Sequence, residues 1–148
     1  MNKIDNFFTE NIVEFSRSYF DYLKQIFDQI DLSEITGFVE VILDARERGA
    51  TIFFMGNGGS AATASHFAND LAFGTNEYEK PFKVISITDN VSVLTALGND
   101  YGYEQIFVRQ LRVYGKKGDV LVGISASGNS PNLLNAFEYA AASGIKTV

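Results

Sequence analysis

The chain has 148 residues, 46% of them hydrophobic, which suits one domain with a real core, and it has no cysteine, which excludes disulfides and thiolate metal sites. Its net charge is −6, and its densest basic stretches, Arg46-Glu47-Arg48 and Arg112 to Lys117, are too sparse for a nucleic-acid surface. The start, MNKIDNFFTEN, lacks the apolar stretch of a secretory signal and no apolar run reaches membrane-spanning length, so a soluble, cytoplasmic protein with no membrane partner is expected.

Residues 3–30 carry apolar side chains at Phe8, Ile12, Phe15, Tyr19, Tyr22 or Leu23, Ile26 and Ile30. Steps of three and four predict one long helix with these on one face. A second helix follows, with Ser33 as its cap, Ile35, Phe38, Val39 and Ile42 inward, and Gly49 as its stop. The period then changes. Thr51 to Met55 reads as a buried strand and Ser60 to Phe73 as a helix. Phe82 to Ile87 is a second strand, followed by helices at Val91 to Leu97 and Glu104 to Tyr114. Asp119 to Ile124 is a third strand, Pro131 to Ala142 a helix stopped by Gly144, and Ile145 to Val148 begins a fourth strand.

Strands alternating with helices imply an α/β three-layer sandwich with a parallel sheet, preceded by two long N-terminal helices. One domain is expected over 1–148, with 1–49 helical and 50–148 forming the α/β part. The fourth strand has only begun at Thr147-Val148, as in a chain truncated from a longer domain. Aromatics occupy two faces of the first helix (Phe7, Phe8, Phe15, Tyr19, Phe20, Tyr22, Phe27). They can pack on the chain's own sheet or on another subunit; two faces favour the second.

Two loops have the same character. Gly56-Asn57-Gly58-Gly59-Ser60 follows the first strand and opens a helix. Ser125-Ala126-Ser127-Gly128-Asn129-Ser130-Pro131 follows the third and opens another, with Ser130 suited to the N-cap and Pro131 to the first helical position. Hydroxyls crowded at a helix N-terminus add donors to free N–H groups that already favour an anion, and they suit a small phosphate monoester. The bland alternative is two tight turns, for which glycine alone would serve. The first loop has no Gly-Lys-Ser/Thr and is not a P-loop. Gly56, Gly58 and Ala61 do satisfy G-x-G-x-x-A, the variant of a dinucleotide motif. That motif wants an acidic residue about twenty positions on, whereas the next strand ends later, near Thr88-Asp89. A nucleotide cofactor is therefore not expected. In open parallel sheets ligands sit beyond the carboxyl ends of the strands, so both loops, and the polar Asn99-Asp100 turn between two helices, can meet at one site.

His66 is the only histidine, and Asp70 stands four residues on. On a helix the pair shares a face, able to ligate one metal or to orient each other for proton transfer; a plain surface pair is equally possible.

Together GNGGSAATASHF, TALGNDYG and GISASGNSPN resemble the sugar isomerase (SIS) domain and, within it, the phosphoheptose isomerases, over nearly the whole chain. The resemblance implies conversion of sedoheptulose 7-phosphate to D-glycero-D-manno-heptose 7-phosphate, toward bacterial heptose precursors. It implies substrate contacts from Asn57, Gly58, Gly59 and Ser60, a phosphate held by Ser125, Ala126, Ser127 and Ser130, and sugar hydroxyls bound by Asn99 and Asp100. His66 would ligate zinc in members that bind it. Asp70 stands where the family has a glutamate that is metal ligand, substrate contact and general base, so its carboxylate is one methylene shorter. The family's last strand and helix carry a second histidine and a glutamine that residues 1–148 do not supply. Sites in the family are built from several subunits, usually in a homotetramer. Some relatives do not catalyse and instead bind a partner protein or sense a sugar phosphate, regulating replication initiation; the aspartate makes that the alternative here.

Overall fold

The computed structural model describes residues 4–148, so Lys3, the first position of the expected 3–30 helix, lies outside the described residues. The chain divides into two compact units, Met1–Gly37 and Phe38–Val148.

In the first unit the expected single helix is shorter. A 3-10 turn at Ile4–Asn6 precedes α1 (Ile12–Phe27). The side chain of Asn11 sets the start, accepting from the backbone N–H groups of Val13 at 3.1 Å and Glu14 at 3.3 Å. A carboxamide there satisfies donors that no helical carbonyl can reach, and the apolar period did not register it. Phe7 packs on Tyr22 with ring centroids 5.2 Å apart, and Phe8 meets Phe15 edge-on at 5.7 Å. Phe20 and Phe27 stay about two-thirds exposed, at 65% and 64%.

The second helix, α2 (Leu32–Arg48), is capped by Asp31, not by Ser33. Asp31 Oδ1 accepts from the Ser33 N–H at 2.8 Å and its hydroxyl at 2.7 Å. These bonds, the hydroxyl's first, hold the Asp31 carboxyl below its ordinary pKa. Of the positions expected inward, Ile42 is buried, Phe38 is partly so, and Ile35 and Val39 are exposed; Ala45 is the other fully buried residue of α2.

The second unit holds a four-stranded parallel sheet of β1 (Thr51–Gly56), β2 (Lys83–Ser86), β3 (Val120–Ile124) and β4 (Lys146–Thr147), ordered β2-β1-β3-β4. Period-two alternation splits β1 and β3 between two cores. Ile52, Phe54, Val120 and Val122 face Ile42 and Ala45 of α2 and Ala64 of α3 (Gly59–Asn69). Phe53, Met55 and Leu121 face the other side. There they meet Leu94 and Leu97 of α4 (Val91–Tyr101), Leu111 of α5 (Val108–Tyr114), and Leu133, Ala136 and Ala140 of α6 (Pro131–Ala142). This is the three-layer sandwich that the alternation of elements predicted.

Two departures touch candidate residues. The expected 60–73 helix stops being α-helical at Asn69 and continues as a π turn, Asp70–Gly74, so Asp70 sits at the junction. And α4 runs on to Tyr101, so Asn99 and Asp100 lie in its last turn and not in a turn between helices. Asn90 caps that helix through the Val93 N–H, and the helix carries through Gly98 to end before Gly102, whose φ is +92°.

Candidate functional site

The register of the sheet brings the two loops together. β1 and β3 are adjacent, and their last pair is Gly56 with Ile124. The next residues, Asn57 and Ser125, therefore leave the carboxyl edge of the sheet side by side. Gly56 is needed for the close turn that follows: a Cβ there would lie 2.6 Å from the carbonyl carbon and oxygen of Ser60. Gly58 takes φ +54°, a conformation that other residues adopt at a cost.

Between the loops lies a cavity of about 190 Å³, lined by Asn57, Ser60, Ile124, Ser125, Ala126, Ser127 and Ser130. Two of its hydroxyls are engaged by the loop itself. Ser125 Oγ accepts from the Gly128 N–H at 3.1 Å, and Ser127 Oγ from the Asn129 N–H at 3.3 Å. The two hydroxyls also lie 3.5 Å apart, so one donates to the other and a single proton of the pair remains for another partner. Ser130 is the N-cap residue of α6, as expected, but its side chain makes no cap bond; its carbonyl instead accepts from Leu133 and Leu134. The Ser130 hydroxyl is thus uncommitted, and so is that of Ser60 among the described residues. Hydroxyls at the starts of α3 and α6 thus line the pocket, and no charged side chain does.

Asn57 also lines a neighbouring cavity of about 290 Å³ with Tyr103, Glu104, Ser130, Pro131 and Asn132. The sequence reading missed Tyr103, Glu104 and Asn132. The burial of the polar Asn132, at 2% exposure, marks it only once the structure is known.

The other candidates lie apart from both linings. Gly58 and Gly59 shape the first loop but line neither cavity. Asn99 donates to Asp100 at 2.7 Å, and both are exposed. His66 Nε2 and Asp70 Oδ2 are 3.2 Å apart, with side chains 76% and 55% exposed. The two donors do pair across one helical turn. A catalytic zinc takes three protein ligands, and among the described residues no group of three or more His, Cys, Asp or Glu side chains is placed to hold a metal. The pair alone does not fit a zinc ion. Among the described residues no helix is long and apolar enough to cross a membrane.

Residues 15–148 match the SIS domain. The chain belongs to the SIS domain family. It is 44% identical over 117 residues to the phosphoheptose isomerase of Clostridium acetobutylicum, covering 79% of this chain and 60% of that protein. With the phosphoheptose isomerase of Nitratidesulfovibrio vulgaris it shares 48% identity over 101 residues, 68% of this chain and 49% of that one. This SIS domain superimposes on the phosphoheptose isomerase of Neisseria gonorrhoeae with a TM-score of 0.82 at 35% identity, covering 93% of this chain and 73% of the other. For the enzyme from Francisella tularensis the TM-score is 0.81 at 30% identity, covering 99% and 74%. The chain thus spans only 49% to 60% of the curated relatives just named.

Proposed function

We propose that this SIS domain binds a sugar phosphate in the cavity between its two loops and acts as an aldose–ketose isomerase on sedoheptulose 7-phosphate, in the cytoplasm and without a nucleotide cofactor. The observation that carries the reading is the hydroxyl-lined pocket where Asn57 and Ser125 leave the sheet together. The likeness to phosphoheptose isomerases over most of the chain supports it.

On this reading Ser125, Ser127 and Ser130 hold the phosphate, with the Ala126 and Gly58-Gly59 backbone close to it. Binding energy from that remote group positions the reacting carbons. A base then removes the C1 proton, alpha to the C2 carbonyl, while the electron pair moves toward O2 and an acid protonates O2, giving the enediol. Return of a proton to C2, with loss of the O1 proton, completes the aldose. Asp70 is the proposed base and substrate contact, His66 its partner, and Asn99 and Asp100 the contacts for sugar hydroxyls. Zinc would take His66 and Asp70 only with ligands from beyond the described residues, and it would polarise the carbonyl when bound. Oligomer formation, a homotetramer by family resemblance, is supported by the exposed aromatics of α1.

A second reading is favoured by one observation: Asp70 is half exposed and outside both cavities. In that case the domain binds sugar phosphate, or a partner protein as a regulator does, without turnover. Proton NMR in D₂O with sedoheptulose 7-phosphate separates the two. Deuterium entering the sugar, with exchange slowed at least ~100-fold in Asp70→Asn, is the expected result for the isomerase. Saturation transfer without exchange supports the binding protein. The absence of both would refute the sugar-phosphate reading.

A further inference from the structure

Asn57 is the one residue that lines both cavities together with Ser130, and its carboxamide is locked from behind. The chain of constraints starts at the backbone. The Leu133 N–H, shared with the Ser130 carbonyl, donates to Asn132 Oδ1 at 3.1 Å. Only the oxygen of a carboxamide can accept, so Asn132 has one orientation. Its Nδ2 donates to Asn57 Oδ1 at 2.8 Å, while Asn57 Nδ2 donates back to Asn132 Oδ1 at 3.0 Å. The Tyr103 hydroxyl donates to the same Asn57 Oδ1 at 3.0 Å. Turning the Asn57 amide over would set nitrogen against nitrogen and oxygen against oxygen across the pair.

The consequence is a one-sided group. Asn57 Oδ1 already has two donors, which fill both its lone-pair positions. One Nδ2 hydrogen is engaged by Asn132, and the other has no partner among the described residues. Asn57 can therefore offer a ligand an N–H and never a carbonyl oxygen. In a pocket for an anion this matters, because the reversed amide would present a negative dipole end to the phosphate or to a sugar oxygen.

We propose that Asn132 and Tyr103 are positioning residues that hold Asn57 as a dedicated donor to an oxygen of the bound sugar phosphate. The identity of that oxygen's owner rests on the function proposed above; the lock itself does not. Tyr103, its proton committed to Asn57, keeps only acceptor capacity toward a sugar hydroxyl in the larger cavity.

The test uses the full chain labelled with ¹⁵N. The Asn57 side-chain amide is assigned by its disappearance in Asn57→Asp, and its mobility is read from the heteronuclear NOE. Tyr103→Phe is the mild variant, because the ring is 60% exposed and only the hydroxyl goes. It is expected to melt within about 1 °C of the parent, to loosen the Asn57 amide, and to raise the Kd for sedoheptulose 7-phosphate about fivefold. Asn132→Asp keeps an acceptor for Leu133 but turns a second oxygen on Asn57 Oδ1, and it is expected to raise that Kd at least about tenfold. A rigid Asn57 amide and an unchanged Kd in both variants would overturn the proposal. Loosening by Tyr103→Phe in a chain that binds neither sedoheptulose 7-phosphate nor inorganic phosphate would uphold the lock and overturn the sugar-phosphate reading instead. Binding by the parent with no loosening in either variant would do the reverse.

Discussion

Replacing Ser130 by alanine separates binding from stability in an unusual way. At an N-cap, Ser→Ala ordinarily costs ~0.5–2 kcal/mol, because the side chain bonds an N–H of the first turn. Here that bond is absent, and the carbonyl that serves Leu133 and Leu134 survives the change. The stability loss is therefore expected to stay within ~0.5 kcal/mol, about 1–2 °C in Tm for a chain of this size. Ser130 lines the 190 Å³ cavity, and its hydroxyl has no partner among the described residues. A hydrogen bond to a charged phosphate is worth ~1.5–3 kcal/mol net, so the Kd for sedoheptulose 7-phosphate should rise about 10- to 150-fold. Isothermal titration calorimetry reads the affinity and differential scanning calorimetry the Tm. Ser127→Ala is the contrast: it removes the acceptor of the Asn129 N–H as well, so affinity and Tm should fall together. An unchanged Kd in Ser130→Ala would refute the phosphate assignment of this loop. A Tm loss of several degrees would refute the claim that its side chain is uncommitted.

Two further changes probe the frame around the site. Gly56→Ala places a Cβ 2.6 Å from the Ser60 backbone and should cost ~1–3 kcal/mol, lowering Tm by about 3–10 °C; a Tm within 1 °C of the parent would mean the turn yields freely. Asp119 is 6% exposed, and its two oxygens accept from the N–H groups of Thr51 at 2.9 Å and Lys116 at 2.8 Å. Asp119→Asn turns an NH₂ on one of those donors, so urea melts should show a loss of ~1–3 kcal/mol, and a loss under ~0.5 kcal/mol would count against it.

The strands were legible because buried parallel strands leave short apolar runs bounded by turn residues, as Thr51 to Met55 and Asp119 to Ile124 do. The glycine and serine loops were legible for the same local reason. Helix ends were less so. Asn11 and Asp31 set the starts of α1 and α2 through side-chain bonds that apolar periodicity does not encode. Asn99-Asp100 looked like a turn from its polarity and the glycines around it, yet α4 carries through Gly98 to Tyr101. A glycine inside a helix weakens it by only ~1 kcal/mol, which packing of Leu94 and Leu97 on the core offsets.

From residue types and spacing alone came the parallel three-layer architecture, the two glycine- and serine-rich loops and the His66–Asp70 pair, since each depends on neighbours within a few positions. Tertiary structure decided which of these meet. The pairing of Gly56 with Ile124 sets the two loops side by side, a fact of register between segments 68 residues apart. It also decided that Asn132, 75 positions from Asn57, closes the amide pair behind the loop, and that His66 and Asp70 stand outside the cavity. Contacts across such distances arise only when the sheet has been assembled, because nothing local to either segment states its partner.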